Sequence, residues 1–453
     1  MPDPSCPDGY RFGSDAPRPG ACASVDPVAN SSGLASSTAD PTVTSTTAEA
    51  TTLETATTST NSGGGVVDET TTTEGVLTTS TSDGCGPLGC ACTESIAVGN
   101  QYSCLERSDG AIVCWGRNNH GQAGVVVAEI PQVNDPTVVS IPVPSTDVEA
   151  QFEHSCAIDV DGRVWCWGRN LSGCVDPVNA VGEATGPVQV EGVENIVELR
   201  LAYRSTCGIR DDGQLVCWGN NSFGQRLTEL RGFGPHVVPL PIEGMVDLRL
   251  GEHHGCAWND DHVVCWGRNN HGQLAAPAAI ETSSSPVAID LPAAPLSVAV
   301  GRNHNCALLD DHSVHCWGSN INNAISEAKM PAYRTPVAVP QPWKGMPTEV
   351  VALRDTTCAK LGPTDLWCWG QGFGGYLGVE GGVNNAPLWP PQRIAAIDEL
   401  TGTVVQTGLG YQHMCARLDS AEVFCWGNTT IGQLGPMLPP NGMLTVQVNP
   451  CGT

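Results

Sequence analysis

Basic side chains are scarce in this 453-residue sequence, which holds 21 Lys plus Arg against 47 Asp plus Glu. The formal net charge is −26, and the first 84 residues contain only two of the basic residues. A surface of this kind repels nucleic acid and anionic lipid, and it favours solubility. The composition therefore argues against a protein that binds DNA or chromatin.

Long apolar runs are also missing. No stretch approaches the roughly 18 apolar residues that a membrane-spanning helix requires, so no such span is predicted. The sequence opens Met1-Pro-Asp-Pro-Ser-Cys-Pro-Asp-Gly9, which has neither the basic nor the apolar region of a signal peptide.

Sequence signatures of catalysis are absent as well. We find no Gly-rich phosphate cradle, no nucleophile elbow and no His-Glu-x-x-His stretch. The Gly-rich run Gly370-Gln-Gly-Phe-Gly-Gly375 follows a Trp-Gly strand end and leads into no helix, which indicates a loop. We predict a protein that is not an enzyme and that binds no cofactor or metal.

Cysteine, by contrast, is abundant, with 21 residues. Fourteen of them mark seven copies of one phrase, of which the first reads Tyr102-Ser-Cys104-Leu-Glu-Arg-Ser-Asp-Gly110-Ala-Ile-Val-Cys114-Trp-Gly116. The predicted pairs are Cys104 with Cys114, Cys156 with Cys166, Cys207 with Cys217, Cys256 with Cys265, Cys306 with Cys316, Cys358 with Cys368, and Cys415 with Cys425. Successive first cysteines lie 52, 51, 49, 50, 52 and 57 residues apart. A period near fifty residues is typical of a propeller or a solenoid.

Each pair is expected to brace a β-hairpin. In the second copy two strands of period-two pattern flank the loop Val160-Asp161-Gly162, and Asp-Gly is a strong hairpin signal. Cys156 and Cys166 then face each other across antiparallel strands, within disulfide reach. The fourth copy is one residue shorter, and a two-residue loop restores the same facing pair.

Regular pairing of this kind indicates an oxidising compartment. We therefore predict an extracellular, periplasmic or cell-surface protein whose export signal lies upstream of this start. The alternative is a cytosolic chain with reduced thiols.

The remaining pattern predicts an all-β fold, a seven-bladed β-propeller with about four short strands per repeat. Period two places the Trp of each Cys-Trp-Gly on the face opposite the disulfide, which suits sheets stacked between neighbours. An outer strand of Pro-Val type precedes most hairpins, as in Pro187-Val-Gln-Val190, but none precedes the first. A surplus strand, Leu444-Thr-Val-Gln-Val448, follows the last hairpin. We predict that it joins the first blade and closes the ring, which would place Cys451 near Cys85–Cys92.

Three regions are expected along the chain. Residues 1–30 form a short segment in which Cys6 and Cys22 could pair. Residues 31–83 are rich in Ser and Thr and poor in large apolar side chains, so they should be disordered, as a glycosylated stalk or an unmodified linker. Residues 84–453 form the propeller. Cys85, Cys90 and Cys92 favour disulfide chemistry over metal, because no second ligand pair follows them.

Two groups of residues invite a metal interpretation. His154, His254, His304 and His413 each precede a cysteine by two residues, but one per blade scatters them, so we predict packing and hydrogen bonding inside each blade. The Asp-rich hairpin turns suggest calcium, yet Asp and Gly are wanted there for the turn alone.

The phrase resembles the repeat of the regulator of chromosome condensation family, whose shape is Val-x-x-Gly-x-x-His-x-Cys-Ala-Leu, a turn with Gly, Val-x-Cys-Trp-Gly, then Asn-x-x-Gly-Gln-Leu-Gly. The fifth copy matches the front half from Val300 to Gly318, and the fourth matches the tail from Trp266 to Leu274. The resemblance covers about residues 95–449 and implies a seven-bladed propeller.

The copies also depart from that shape. The sixth, Leu353-Arg-Asp-Thr-Thr-Cys358, lacks both Gly and His, and the fifth lacks the Gly-Gln-Leu tail. In the second, Cys174 stands where Gln belongs, so it has no partner by repeat logic. The pairing of Cys6, Cys22, Cys85, Cys90, Cys92, Cys174 and Cys451 stays open.

The family includes a nuclear exchange factor for a small GTPase, a secreted bacterial inhibitor of β-lactamase and many surface proteins, so fold alone does not choose a function. We predict a monomeric binding module that recognises a protein or glycan through loops on one face of the ring. The alternatives are an exchange factor and an enzyme that degrades extracellular polymers. Exposed loop aromatics make good anchors, although each could pack on its own blade instead. The candidates are Phe223, Phe233, Tyr333, Phe373, Tyr376 and Trp389.

Overall fold

The computed structural model divides the chain into two units, Met1–Thr79 and Ser80–Thr453. It describes residues 10–12, 22–24, 92–125, 131–180, 182–372, 377–379, 387–428, 430–435 and 446–448. In the first unit, β1 (Tyr10–Phe12) pairs antiparallel with β2 (Cys22–Ser24). The predicted Cys6–Cys22 bridge and the predicted disorder of 31–83 lie outside the described residues.

The second unit contains seven four-stranded antiparallel sheets, which confirms the predicted seven-bladed propeller. Blade one comprises β3 (Thr93–Val98), β4 (Tyr102–Arg107), β5 (Ile112–Arg117) and β6 (Gln132–Val138). Blade two comprises β7 (Ser145–Gln151), β8 (His154–Asp159), β9 (Val164–Arg169) and β10 (Glu183–Gln189). Blade three comprises β11 (Ile196–Leu201), β12 (Ser205–Arg210), β13 (Leu215–Gly219) and β14 (His236–Val238).

The other four blades repeat this order. Blade four comprises β15 (Asp247–Leu250), β16 (His254–Trp258), β17 (Val263–Arg268) and β18 (Thr282–Ile289). Blade five comprises β19 (Pro295–Val300), β20 (His304–Leu309), β21 (Val314–Ser319) and β22 (Ala332–Ala338). Blade six comprises β23 (Glu349–Leu353), β24 (Thr356–Gly362), β25 (Asp365–Gly370) and β26 (Leu388–Arg393). Blade seven comprises β27 (Val404–Leu409), β28 (His413–Leu418), β29 (Val423–Gly427) and β30 (Val446–Val448). Short 3-10 helices cover Ile321–Asn323 and Ala395–Glu399.

The facing cysteines predicted for each hairpin are confirmed. Cys104 pairs in register with Cys114, and the shorter fourth hairpin sets Cys256 opposite Cys265 in the same way. All seven pairs are bonded, with Cα–Cα distances of 4.0–4.1 Å. Each disulfide closes a short loop, and on the chain-entropy account it stabilises the fold by about 2–3 kcal/mol because it restricts the unfolded chain.

The predicted closure of the ring by strand exchange is wrong. β30 pairs with β29 of its own blade, with Val446 opposite Cys425, and blade one has its own outer strand, β6. Each Pro-Val segment belongs to the hairpin that precedes it, because strands that follow one another along the chain pair with one another. Blade one therefore has all four of its own strands, and β30 is the fourth strand of blade seven.

The ring closes instead by packing. The first strands of neighbouring blades contact one another all the way round, including β27 with β3, and so form the inner wall of the ring. Trp115 and Val98 of blade one share a core cluster with Cys415 and Val448 of blade seven. The Gln406 side chain accepts a hydrogen bond from Ile96 N and donates one to Ile96 O, each 2.9 Å long. The interface between blades seven and one is thus built like the others.

The tryptophans of the Cys-Trp-Gly tails hold neighbouring blades together. All seven are fully buried, and each indole Nε1 donates a hydrogen bond to a main-chain carbonyl of the preceding blade. The acceptors are, from Trp115 to Trp426, Gln433, Gln122, Cys174, Gln225, Gln273, Ala324 and Leu377, at 2.9–3.3 Å. A large apolar surface with one satisfied donor suits this position, and the predicted stacking of each sheet between neighbours is confirmed.

None of the helices in the described part of the chain is long and apolar enough to cross a membrane.

Candidate binding face

One face of the propeller carries the turns that join the first and second strands of each blade. They cover residues 99–101, 152–153, 202–204, 251–253, 301–303, 354–355 and 410–412. Beside each turn lies the residue that directly follows a Cys-Trp-Gly tail, because its N–H donates to a turn carbonyl, as Arg117 N does to Gln101 O at 2.8 Å. These residues are Arg117, Arg169, Asn220, Arg268, Ser319, Gln371 and Asn428. We call the seven turns and these seven residues the turn ring.

The turn ring is cationic although the chain is acidic. It holds six arginines and three carboxylates, a formal charge of +3 in a chain of −26. The hairpin tips at the opposite end of the same strands cover residues 108–111, 160–163, 211–214, 259–262, 310–313, 363–364 and 419–422. They hold ten carboxylates and one arginine, a formal charge of −9. The turn ring and the hairpin tips therefore differ in the sign of their charge.

Three arginines of the turn ring stack on aromatic rings. The guanidinium carbon lies 4.7 Å from the ring centre of Tyr203 for Arg204, 4.8 Å from Phe223 for Arg268, and 4.1 Å from Tyr411 for Arg354. Within the described ranges, none of the three has a carboxylate oxygen within 4.0 Å. Stacking fixes a guanidinium plane. The Nε atoms of Arg204 and Arg354 are buried, so the terminal nitrogens are the donors that these two residues can offer to a ligand.

Aromatic side chains form a continuous arc across blades two to four. Phe152 contacts Tyr203 edge-on at 5.3 Å, Tyr203 contacts His253 at 6.0 Å, and Phe223 contacts His253 at 4.8 Å. Phe152 is 4% exposed, whereas the other three are half-buried. Burial, together with the charges of Arg268 and Arg204, lowers the pKa of His253 to about 4 against the pull of Glu252. His253 is therefore neutral at pH 7 and acts as part of the arc.

The carboxylates of the turn ring neutralise only part of its charge. Glu153 pairs with Arg169, and Glu252 pairs with Arg302. Asp355 is buried, accepts a hydrogen bond from Asn322 at 3.2 Å, and its pKa is raised by that burial.

Four of the six aromatic residues predicted as partner contacts lie in the described part of the chain, and they fall into two groups. Phe223 lies in the arc described above, and Phe233, which is 39% exposed, lies in the same connection of blade three. Tyr333 and Trp389 lie on the outer strands β22 and β26 and pack against the core between blades five and six. Phe373 and Tyr376 lie outside the described residues.

Sequence reasoning missed Phe152, Tyr203 and Tyr411, which the structure places in the turn ring. They occupy the variable positions between the first-strand pattern and the His-x-Cys motif, as Tyr411 does in Gly410-Tyr-Gln-His413. The available signal was that two positions of an otherwise regular phrase vary freely in every copy.

Charged side chains also line the inner wall. Arg200 donates to Asp247 at 2.8 Å, pairs with Glu198, and lies 3.8 Å from Glu149. Desolvation raises the pKa of Glu149, although Arg200 opposes the shift and 36% of the side chain remains exposed. These carboxylates, from three successive blades, converge on one guanidinium, which is the arrangement of a charge-compensated structural cluster.

The four histidines do not converge, but they bond between blades and not within them, which corrects the prediction. Each Nε2 lies 2.7–3.2 Å from the residue before the first cysteine of the next blade. The pairs are His154 with Thr206, His254 with Asn305, His304 with Thr357, and His413 with Ser103. Tyr102 takes the histidine place in blade one, where Ser155 donates to its hydroxyl at 2.9 Å. In blades three and six, Ser205 and Thr356 occupy the position of the histidine. The residue that would face them in the next blade is then Gly255 or Met414.

The described residues outside the hairpin pairs include one free cysteine, Cys174, which is buried. Its carbonyl still accepts the Trp218 bond, so the thiol replaces only the Gln side chain of the repeat. Cys92 is disulfide-bonded. Across the described residues, no cluster of His, Cys, Asp or Glu has the form of a metal site.

Fold and site together define a disulfide-braced, seven-bladed β-propeller with a cationic, aromatic ring on one face. Models of the regulator of chromosome condensation (RCC1) repeat match residues 94–122, 146–174, 203–225, 260–308, 296–323 and 404–433. The chain therefore contains RCC1 repeats.

Known proteins resemble parts of the chain. The human probable E3 ubiquitin-protein ligase HERC6 is 29% identical over 173 residues, which is 36% of this chain but only 17% of the ligase. Prp20p from Saccharomyces cerevisiae has a TM-score of 0.61 at 19% identity, over 70% of this chain and 80% of Prp20p. Human WBSCR16 has a TM-score of 0.65 at 18% identity, over 75% of this chain and 94% of WBSCR16. At these identities the two structures support the fold alone.

Proposed function

We propose that this protein is a secreted or surface-tethered binding module that recognises a protein or glycan partner through the turn ring. The observation that carries the proposal is the concentration of stacked arginines and half-buried aromatic side chains on this ring. Arginine and aromatic side chains are the residue types that dominate binding hot spots. The hairpin tips, with their excess of carboxylates, offer no comparable set.

Export is supported by the seven hairpin disulfides, since structural disulfides persist in oxidising compartments. The propeller fold itself supports protein binding, because the Prp20p structure is described together with binding to Gsp1p and histones. That resemblance also keeps an exchange factor for a small GTPase as the alternative function. The acidic surface and the disulfides favour the extracellular module over that alternative.

The proposal can be tested by capturing ligands on the immobilised full-length chain. Extracellular and cytosolic fractions of the cells that produce the protein are applied separately. We expect a ligand from the extracellular fraction whose retention saturates and is competed by free chain. Phe223→Ala, in the aromatic arc beside the turn ring, should weaken retention, whereas Phe233→Ala in the same connection of blade three should not. Retention of a cytosolic GTPase, with accelerated release of its fluorescent nucleotide, would support the exchange factor instead. Equal loss with both variants would remove the turn ring from the proposal.

A further inference from the structure

The turn ring contains arginines whose charge is not matched within the protein. Arg204, Arg268 and Arg354 lie against aromatic rings and have no ion pair in the described part of the chain, whereas Arg169 and Arg302 do. A stacked guanidinium keeps the planar fork of N–H donors that binds a carboxylate in bidentate fashion. Each of the three therefore offers N–H donors to a carboxylate, although Arg204 also donates to the Tyr203 hydroxyl at 3.3 Å.

These arginines contribute to one continuous region of positive electrostatic potential. The charges of Arg204, Arg268 and Arg302 all act on His253, and those of Arg302 and Arg354 act on Asp355. This region of positive potential therefore extends from blade three to blade six along the turn ring. The arc of Tyr203, His253 and Phe223 lies within it and offers apolar contact surface beside the charges.

A dense polyanion does not suit this surface. Long chains of sulfate or phosphate respond to the summed charge of the protein, which is −26, and they would lie against Glu153, Glu252 and Asp355 between the arginines. Separate carboxylates on a flexible polypeptide can meet single guanidinia and avoid those acidic positions. Aromatic neighbours add contacts that a protein segment can use and a polyanion backbone cannot.

We propose that the turn ring binds an acidic polypeptide segment, with Asp or Glu carboxylates on Arg204, Arg268 and Arg354 and apolar side chains on the arc. The inference rests on the proposed binding function and names its face and the chemistry of its partner. It concerns a segment of another protein, and a sulfated glycan or a second copy of this chain are alternative occupants that the experiment separates.

The test is selection of displayed random 12-residue peptides on the full-length chain at physiological salt, followed by affinity measurement with the best synthetic peptide. We expect the selected peptides to be enriched in Asp and Glu over the starting library. The triple variant Arg204→Ala, Arg268→Ala, Arg354→Ala should bind the peptide about thirtyfold more weakly or worse. Replacement of the same three residues by Lys should restore only part of the affinity, since the charge returns without the planar fork.

The matched control is Arg163→Ala, Arg210→Ala, Lys360→Ala, which changes the net charge equally on or near the hairpin tips and should leave the affinity unchanged. Equal weakening in both triple variants would mean that only long-range charge acts, and would overturn the inference. Selected peptides without acidic enrichment, or no selected peptide, would also overturn it, while the capture experiment would still decide the proposed function. Tighter binding of heparin than of any peptide, or concentration-dependent self-association lost in the turn-ring variant, would assign the surface to the other occupants.

Discussion

At the scale of single residues, one position in each repeat connects a blade to the next. Histidine or tyrosine at this position reaches a polar side chain of the following blade at five interfaces. At the other two interfaces both partners are replaced together, as with Ser205 and Gly255. A buried polar group without its partner would cost about 1–3 kcal/mol, which explains why the two positions change as a pair.

Acid should destabilise the fold through these histidines. Burial lowers the pKa of His154, His254 and His413 to about 4 and that of His304 to about 3. Between these values and the ordinary pKa of about 6.5, the unfolded chain takes up protons that the folded chain does not. The free energy of unfolding should therefore fall as the pH drops through this window, by about 3 kcal/mol per histidine. Urea unfolding followed by Trp fluorescence between pH 7.5 and 4.5 measures the effect.

A single substitution tests how much one of these histidines contributes to the pH dependence of the free energy of unfolding. His304→Gln should be less stable than the wild type at pH 7.5, and the difference should narrow toward pH 4.5 because one titrating group is gone. His262→Gln, at an exposed hairpin tip, should follow the wild-type profile. Parallel profiles for His304→Gln and wild type would contradict this account.

Cys174 should be inert until the protein unfolds. Burial raises the pKa of its thiol to about 12, so almost no reactive thiolate exists at pH 8. Iodoacetamide should label it only in denaturant, and Cys174→Ser should lose that one label. Intact mass of the non-reduced native protein should show at least seven disulfides. Labelling of most of the fourteen hairpin cysteines without denaturant would contradict both the pairing and the export proposal.

At the scale of the elements, the outer strand of blade seven supports two blades at once. Val448 in β30 is 1% exposed and belongs to the cluster that joins blade seven to blade one. Its side chain therefore contributes to closing the ring although the strand exchanges with no other blade.

Val448→Ala should lower the free energy of unfolding by about 1–3 kcal/mol, because it removes buried apolar surface at this interface. Val405→Ala, in a residue that is 41% exposed, should change it by about 0.5 kcal/mol or less. Deletion of residues 443–453 should cost more than the point substitution. A deletion that melts at the wild-type temperature would show that β30 is dispensable. Thermal and urea unfolding of the three variants provide the comparison.

The strands also show which features of the fold can be predicted from the sequence and which cannot. Hairpins, disulfides and blade number followed from local spacing, because facing cysteines such as Cys104 and Cys114 depend only on loop length. The blade assignment of a Pro-Val segment did not, because the same apolar pattern can pair with the hairpin before it or after it. The His304–Thr357 pair and the turn ring depend on residues about fifty positions apart, which no local pattern relates.

At the scale of the whole molecule, two sets of turns at opposite ends of the strands carry charge of opposite sign, +3 on the turn ring and −9 on the hairpin tips. Hairpin turns favour Asp for conformational reasons, so the acidic face follows from the repeat itself. The turn ring lies at positions that the repeat leaves free, and its arginines are therefore available for selection by a partner.

Limited proteolysis should release a propeller core that begins between residues 84 and 95. The first strand of blade one starts at Thr93, and the residues before 84 have a composition that buries little apolar surface. Mass spectrometry of the stable fragment locates its start. A resistant fragment that retains residues 31–83 would contradict the predicted linker or stalk.

Since every blade is formed by one uninterrupted stretch of chain, the order of the blades in the gene is separable from their order in space. A circular permutant that begins between β14 and β15, with β30 joined to β3 by about six residues as in the 139–144 connection, would keep all seven sheets whole. The same property allows the ring to have grown by duplication of whole fifty-residue units, each new blade arriving with its own disulfide, its own Trp and its own outer strand.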